Sequence, residues 1–79
     1  MINVGQLYLH DELNEYMIVT SYNRGYVSYE GPGFSGRSDS EEFLECFLPV
    51  NPEDVSPEEV NYLKSFCPAG TVVTTGFIK

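Results

Sequence analysis

The sequence predicts a small α+β fold: an antiparallel β-meander, one or two short helices, and a closing strand. Three observations predict it. Early in the chain, β-branched and aromatic residues alternate with polar ones in three short runs. Helix start signals appear only after residue 37. A last β-branched run, Thr71 to Ile78, follows the helices. The 79 residues leave room for one domain, 1–79, and no second core. A hydrophobic fraction of 42%, with six Tyr and five Phe, is too high for a disordered tail.

The first strand is expected over Gln6 to His10, where Leu7 and Leu9 alternate with Gln6 and Tyr8. Glu15 to Ser21 carries the cluster Tyr16-Met17-Ile18-Val19-Thr20 and reads as the second, and Gly25 to Glu30 as the third. His10 to Asn14 joins the first pair, and Tyr22-Asn23-Arg24-Gly25 has the Asn and Gly of a tight hairpin. Gly31 to Ser38, with three glycines and a proline, reads as a loop. Ser38, Asp39 or Ser40 is placed to cap a short helix through Phe47, with Phe43, Leu44 and Phe47 on its apolar face. Ser56-Pro57-Glu58-Glu59 is a stronger start signal. Ser stands at N-cap, Pro at N1 where its fixed φ suits the first turn, and Glu at N3 to complete a capping box. Val60, Leu63, Phe66 and Cys67 give that helix its buried stripe before Pro68 and Gly70 end it. In the closing strand Gly76 marks a bulge or a close approach. A sheet this small needs a cover, and partial closure supplies one. The expected architecture is a small, partly open SH3-like barrel (three-strand meander plus C-terminal strand) with the helices inserted before the last strand. A flat sheet with two helices on one face is the second choice.

The formal net charge of −8 excludes whole classes of function. Affinity for phosphate comes from counterions released around Lys and Arg, so direct binding to nucleic acid or to an anionic membrane is not expected. The first twenty residues hold Asp11, Glu12 and Glu15 and no Lys or Arg, the wrong composition for a signal peptide or mitochondrial presequence. No apolar run approaches the ~18 residues of a bilayer span. Cys46 and Cys67 are too few for a disulfide scaffold and read as reduced, partly buried thiols in a cytoplasmic protein.

Nothing in the chain forms an enzyme's constellation. Gly31, Gly33 and Gly36 have G-x-G-x-x-G spacing, but Pro32 removes a donor and Asp39, Glu41 and Glu42 would repel a pyrophosphate. His10-Asp11 is the single His–carboxylate pair, with no activated nucleophile or oxyanion hole to serve. His10, Cys46 and Cys67 lack the spacing of a zinc site, and the acids lack that of a calcium loop. Neither catalysis, nor a cofactor, nor a metal is expected.

The acids themselves are the strongest signal. Asp39, Glu41, Glu42, Glu45, Glu53, Asp54, Glu58 and Glu59 place eight of the chain's 12 carboxylates within 21 residues that contain no Lys or Arg. Part of this is structural, because acids at helix starts favour the dipole and a negative surface favours solubility. Helix starts do not account for the lack of compensating cations. The functional expectation is a binding protein, monomeric or a small homo-oligomer, whose acidic helical face docks on a basic protein. Duplex DNA carries one charge per ~1.7 Å, so a nucleic-acid mimic aimed at a nucleic-acid-binding enzyme is one form of this. The alternative is an SH3-like adaptor that holds a peptide or protein through Tyr22, Tyr26 and Phe34. Alternation puts Tyr26 and Ser28 on the face opposite Val27 and Tyr29, so some of these aromatics belong to the core.

The segments Gly5-Gln6-Leu7-Tyr8, Glu15-Tyr16-Met17-Ile18-Val19, Gly25-Tyr26-Val27-Ser28-Tyr29 and Glu42-Phe43-Leu44-Glu45-Cys46-Phe47-Leu48-Pro49-Val50 resemble a pattern of small phage and prophage proteins. In those, strands with G-x-x-Y, Y-x-V and V-x-Y precede an F-L-x-x-F-x-P-V segment. The resemblance spans about residues 5–50 and carries no catalytic residue. It implies an SH3-like barrel, a phage origin, and a host enzyme as the protein inhibited or modulated. From Asn51 onward the chain departs from it.

Overall fold

The computed structural model describes residues 1–78. Strands β1 (Gln6–His10), β2 (Tyr16–Asn23), β3 (Tyr26–Gly31) and β4 (Phe34–Asp39) form an antiparallel meander. Helix α1 (Ser40–Cys46) follows, then β5 (Phe47–Pro49), a 3₁₀ turn (Pro52–Asp54), helix α2 (Pro57–Lys64) and β6 (Thr74–Thr75). The six-stranded sheet runs β4-β3-β2-β1-β5. The free side of β1 is divided: β5 pairs antiparallel with Tyr8–His10, while β6 pairs parallel with Gln6 and Leu7. Its ends do not pair with one another among the described residues, so it is an open sheet and no closed barrel.

Each hairpin has a local cause. Arg24 (φ 52) and Gly25 (φ 81) form a two-residue loop between the paired Asn23 and Tyr26, with two positive φ angles matching the twist of a hairpin. Pro32 and Gly33 form the two-residue loop between the paired Gly31 and Phe34, where Gly33 alone takes a positive φ, 133. The β1–β2 turn is closed by His10: its N–H donates to the Glu15 carbonyl, and its ring Nδ1 accepts the N–H groups of Glu12 and Leu13 at 3.2 and 3.1 Å.

Three expectations are corrected. Gly31 to Ser38 is no loop, because all but its Pro-Gly tip is sheet. Gly36 sits in mid-strand because the Tyr29 ring lies over it; a Cβ there would stand 2.6 Å from the Tyr29 hydroxyl. The closing strand is two residues long, and the chain then leaves the sheet to cross its edge. Gly76 permits that crossing, since a Cβ would meet the Leu7 carbonyl at 2.5 Å. Finally, the helices do not share a face. Alternate residues of β1 and β2 enter different clusters: Tyr8, Met17 and Val19 pack with Phe43 of α1 and Phe47, whereas Leu7 and Ile18 pack with Val55 and Leu63 of α2. Each helix therefore covers one side of a two-sided sheet.

The two sides are held differently. Under α1 the core is aromatic: Phe43, 1% exposed, stacks on Phe47 at 4.3 Å and meets Tyr8 edge-on at 4.7 Å. The Tyr8 hydroxyl donates to Gln6 Oε1 (3.1 Å) and accepts the N–H of Phe77 (2.7 Å), tying the C-terminal segment across the sheet. Burial pushes the Tyr8 phenol up, and this hydrogen bond from Phe77 opposes part of the rise. Under α2 the core is aliphatic, around fully buried Leu7, Ile18 and Leu63.

Candidate functional site

The eight acids fall into two groups because their helices cover opposite sides of the sheet. Asp39, Glu41, Glu42 and Glu45 belong to α1; Glu53 and Asp54 lie on the 3₁₀ turn, and Glu58 and Glu59 on α2. Helix starts explain most of them. Asp39 is the N-cap of α1, its carboxylate accepting the Glu42 N–H at 2.9 Å, with Glu41 and Glu42 in the first turn. Glu53 and Asp54 open the 3₁₀ turn behind the Asn51 cap. Glu58 and Glu59 open α2, whose Ser56 cap accepts the Glu59 N–H at 3.3 Å. All six of these first-turn acids sit where a helix dipole favours negative charge.

Glu45 is the exception. It stands in the last turn of α1, where the carbonyl end of the dipole disfavours a carboxylate, and no basic residue occupies that turn. It lies one turn beyond Glu41, a like-charged i,i+4 neighbour. It also lines a cleft of about 210 Å³ with His10, Asp11, Glu12 and Cys46. The cleft exists because β5 pairs with β1, setting Phe47 opposite His10, and because the Asp11 N–H donates to the Cys46 carbonyl at 3.0 Å. Two acids read in the sequence as a mere polar connector thus join the α1 group. Their only advance signal is the doublet Asp11-Glu12 itself; its neighbour across the sheet depends on a three-residue strand.

The histidine of the cleft is engaged structurally. The Nδ1 of His10 is occupied by two backbone N–H groups, and its ring packs edge-on against Phe47 at 4.8 Å and Phe34 at 5.9 Å. Histidine here builds the turn. No group of three or more His, Cys, Asp or Glu among the described residues is placed to hold a metal ion. The three glycines of the G-x-G-x-x-G spacing do unrelated work at the end of β3, in the turn and within β4.

The aromatic alternative is dispersed. Phe34 packs on the α1 side, stacked on Tyr29 at 5.9 Å. Tyr26 lies on the other face, half exposed, with the Arg37 guanidinium 4.9 Å from its ring centre. Tyr22 pairs with Val27, at the opposite end of β3 from Phe34. The three do not converge.

Both cysteines are free. Cys67, just beyond α2, is half-buried against the aliphatic cluster, its thiol donating to the Val19 carbonyl at 3.5 Å; burial, and then the Glu30 charge, push it up. Cys46 is exposed at the mouth of the cleft, contrary to the expectation of two partly buried thiols. No helix among the described residues is long and apolar enough to cross a membrane. Compared with family models, curated proteins and solved structures, the chain matches none.

Proposed function

We propose that this protein is a non-enzymatic binder whose α1-side carboxylates dock on a basic surface of another protein. The observation that carries the reading is Glu45. Its charge opposes the helix dipole, follows Glu41 on the same helical face, and shares a cleft with Asp11 and Glu12. A residue that works against its own fold is explained by what it meets outside it. Asp39, Glu41, Glu42 and Glu45, extended by Asp11 and Glu12, form a ridge of negative charge without a lysine or arginine in these segments. The partner that fits is a groove built for a polyanion, so the protein acts as a nucleic-acid mimic that inhibits or modulates a nucleic-acid-binding enzyme. The phage-like sequence pattern implies a bacterial host enzyme and a site of action in the host cytoplasm. An SH3-like adaptor reading of the open sheet is less well supported, because Phe34 is spent in the core and Tyr26 is already engaged by Arg37.

The test is affinity capture from bacterial lysate with the protein and with an E41Q/E42Q/E45Q variant. The proposal expects the wild type to retain a nucleic-acid-binding enzyme at about 50 mM NaCl and release it by about 300 mM, as the Debye length shortens. It expects the variant to retain none of it. Retention unaffected by either change refutes the reading.

A further inference from the structure

A second, shallow and open cleft lies on the other side of the sheet, between the 3₁₀ turn and α2, and is lined by Pro52, Glu53, Val55, Pro57, Val60 and Asn61. Its volume, about 340 Å³, is at the small end of the range for ligand sites and suits one or two side chains. Val55 is 6% exposed and supplies a floor, with Val60 beside it. Pro52 and Pro57 wall it with rings that bear no N–H, so an apolar group entering strands no backbone donor there.

The walls are fixed before anything binds. Asn51 Oδ1 accepts the Glu53 N–H at 3.0 Å, and the Val55 N–H donates to the Pro52 carbonyl at 3.2 Å. The Ser56 hydroxyl and carbonyl accept the N–H groups of Glu59 and Val60 at 3.3 and 3.0 Å. A cleft bounded by capped turns loses little entropy on occupation.

Charge then selects the occupant. Glu53 lines the cleft, Asp54, Glu58 and Glu59 are chain neighbours of its lining residues, and no cation occurs between residues 38 and 63. We infer that this cleft is a second docking site, separate from the α1 ridge, for a short protein segment carrying an apolar side chain between lysines or arginines. The apolar side chain enters between the two prolines while its basic neighbours meet the rim carboxylates. A second copy of this chain is a poor occupant, since two bodies of charge −8 would have to meet. Nucleic acid and anionic lipid are repelled on the same ground.

The test is an ¹⁵N-resolved NMR titration of the whole protein with two short peptides of equal charge. One has leucine between paired lysines; the other has glycine in its place. The leucine peptide is expected to shift the amides of Glu53, Val55, Val60 and Asn61 saturably, and to bind about tenfold more tightly than the glycine peptide, as burial of most of a leucine side chain provides. Equal affinity for the two peptides overturns the inference, since charge alone then accounts for binding. Shifts of these amides with protein concentration, in the absence of peptide, also overturn it in favour of self-association. The readout is confined to the cleft amides, so a failure of α1-side docking leaves it unaffected, and its own failure leaves that reading standing.

Discussion

If Glu45 works against the fold, removing its charge must stabilise the protein. In E45Q the side chain keeps its length and helix propensity, so only electrostatics change. Three contributions are relieved. The carbonyl end of α1 costs an exposed carboxylate about 0.3 kcal/mol, discounted for a helix of seven residues. The i−4 repulsion from Glu41 adds about 0.3 kcal/mol. Asp11 and Glu12, which line the same open cleft, add about 0.2 kcal/mol each at low ionic strength. The sum is about 1 kcal/mol, or about 5 °C in Tm for a chain of this size. Thermal unfolding followed by circular dichroism in about 10 mM salt measures it. In about 1 M salt the Debye length is ~3 Å and most of the gain should vanish. An E45Q protein no more stable than wild type at low salt, or a gain equal at both salts, refutes the claim that this carboxylate is held at a cost.

Tyr8→Phe leaves the part-buried Phe77 N–H without its acceptor and should cost about 1 kcal/mol, with hydrogen exchange quickening at Phe77 before the sheet interior. Tyr8 and Tyr29 have phenols pushed up in the folded state, mainly by burial, so their contribution is complete below about pH 10 and is lost as pH rises through the folded values. Urea titrations across that range should show a shallower alkaline decline in Tyr8→Phe than in wild type. With an alkylating reagent near neutral pH, mass spectrometry should find Cys46 modified first and Cys67 only after urea is added; simultaneous reaction would contradict its burial against the aliphatic cluster. The buried Ser38 hydroxyl has no hydrogen-bond partner among the described residues, so Ser38→Ala should be neutral or stabilise by up to about 1 kcal/mol in urea denaturation.

The first three strands and both helix starts can be read from the sequence because their causes are local: alternation in Gln6 to His10, Ser56 accepting the N–H three residues ahead, and one of three candidate caps, Asp39, doing the same for α1. β4 escapes such reading because Gly36 is placed by the Tyr29 ring across the strand pair, whereas composition assigns its glycines to a loop. The placement of the helices does have a trace in the sequence. Met17-Ile18-Val19 is continuously apolar, as a strand buried on both faces must be, and the structure buries all three. The candidate site was half legible for the same reason. Acids on α1 are contiguous in sequence, while Asp11 and Glu12 reach Glu45 through pairing of β1 with a strand of three residues.

The central claim is that the α1-side carboxylates replace a polyanion on a basic partner. Isothermal titration of the captured partner, with and without a saturating duplex oligonucleotide, tests it most directly. The account predicts that wild-type protein binds at about 50 mM NaCl, loses at least tenfold in affinity by about 300 mM, and is excluded by the duplex, while E41Q/E42Q/E45Q does not bind. Simultaneous binding of protein and duplex, or undiminished binding of the variant, would contradict it.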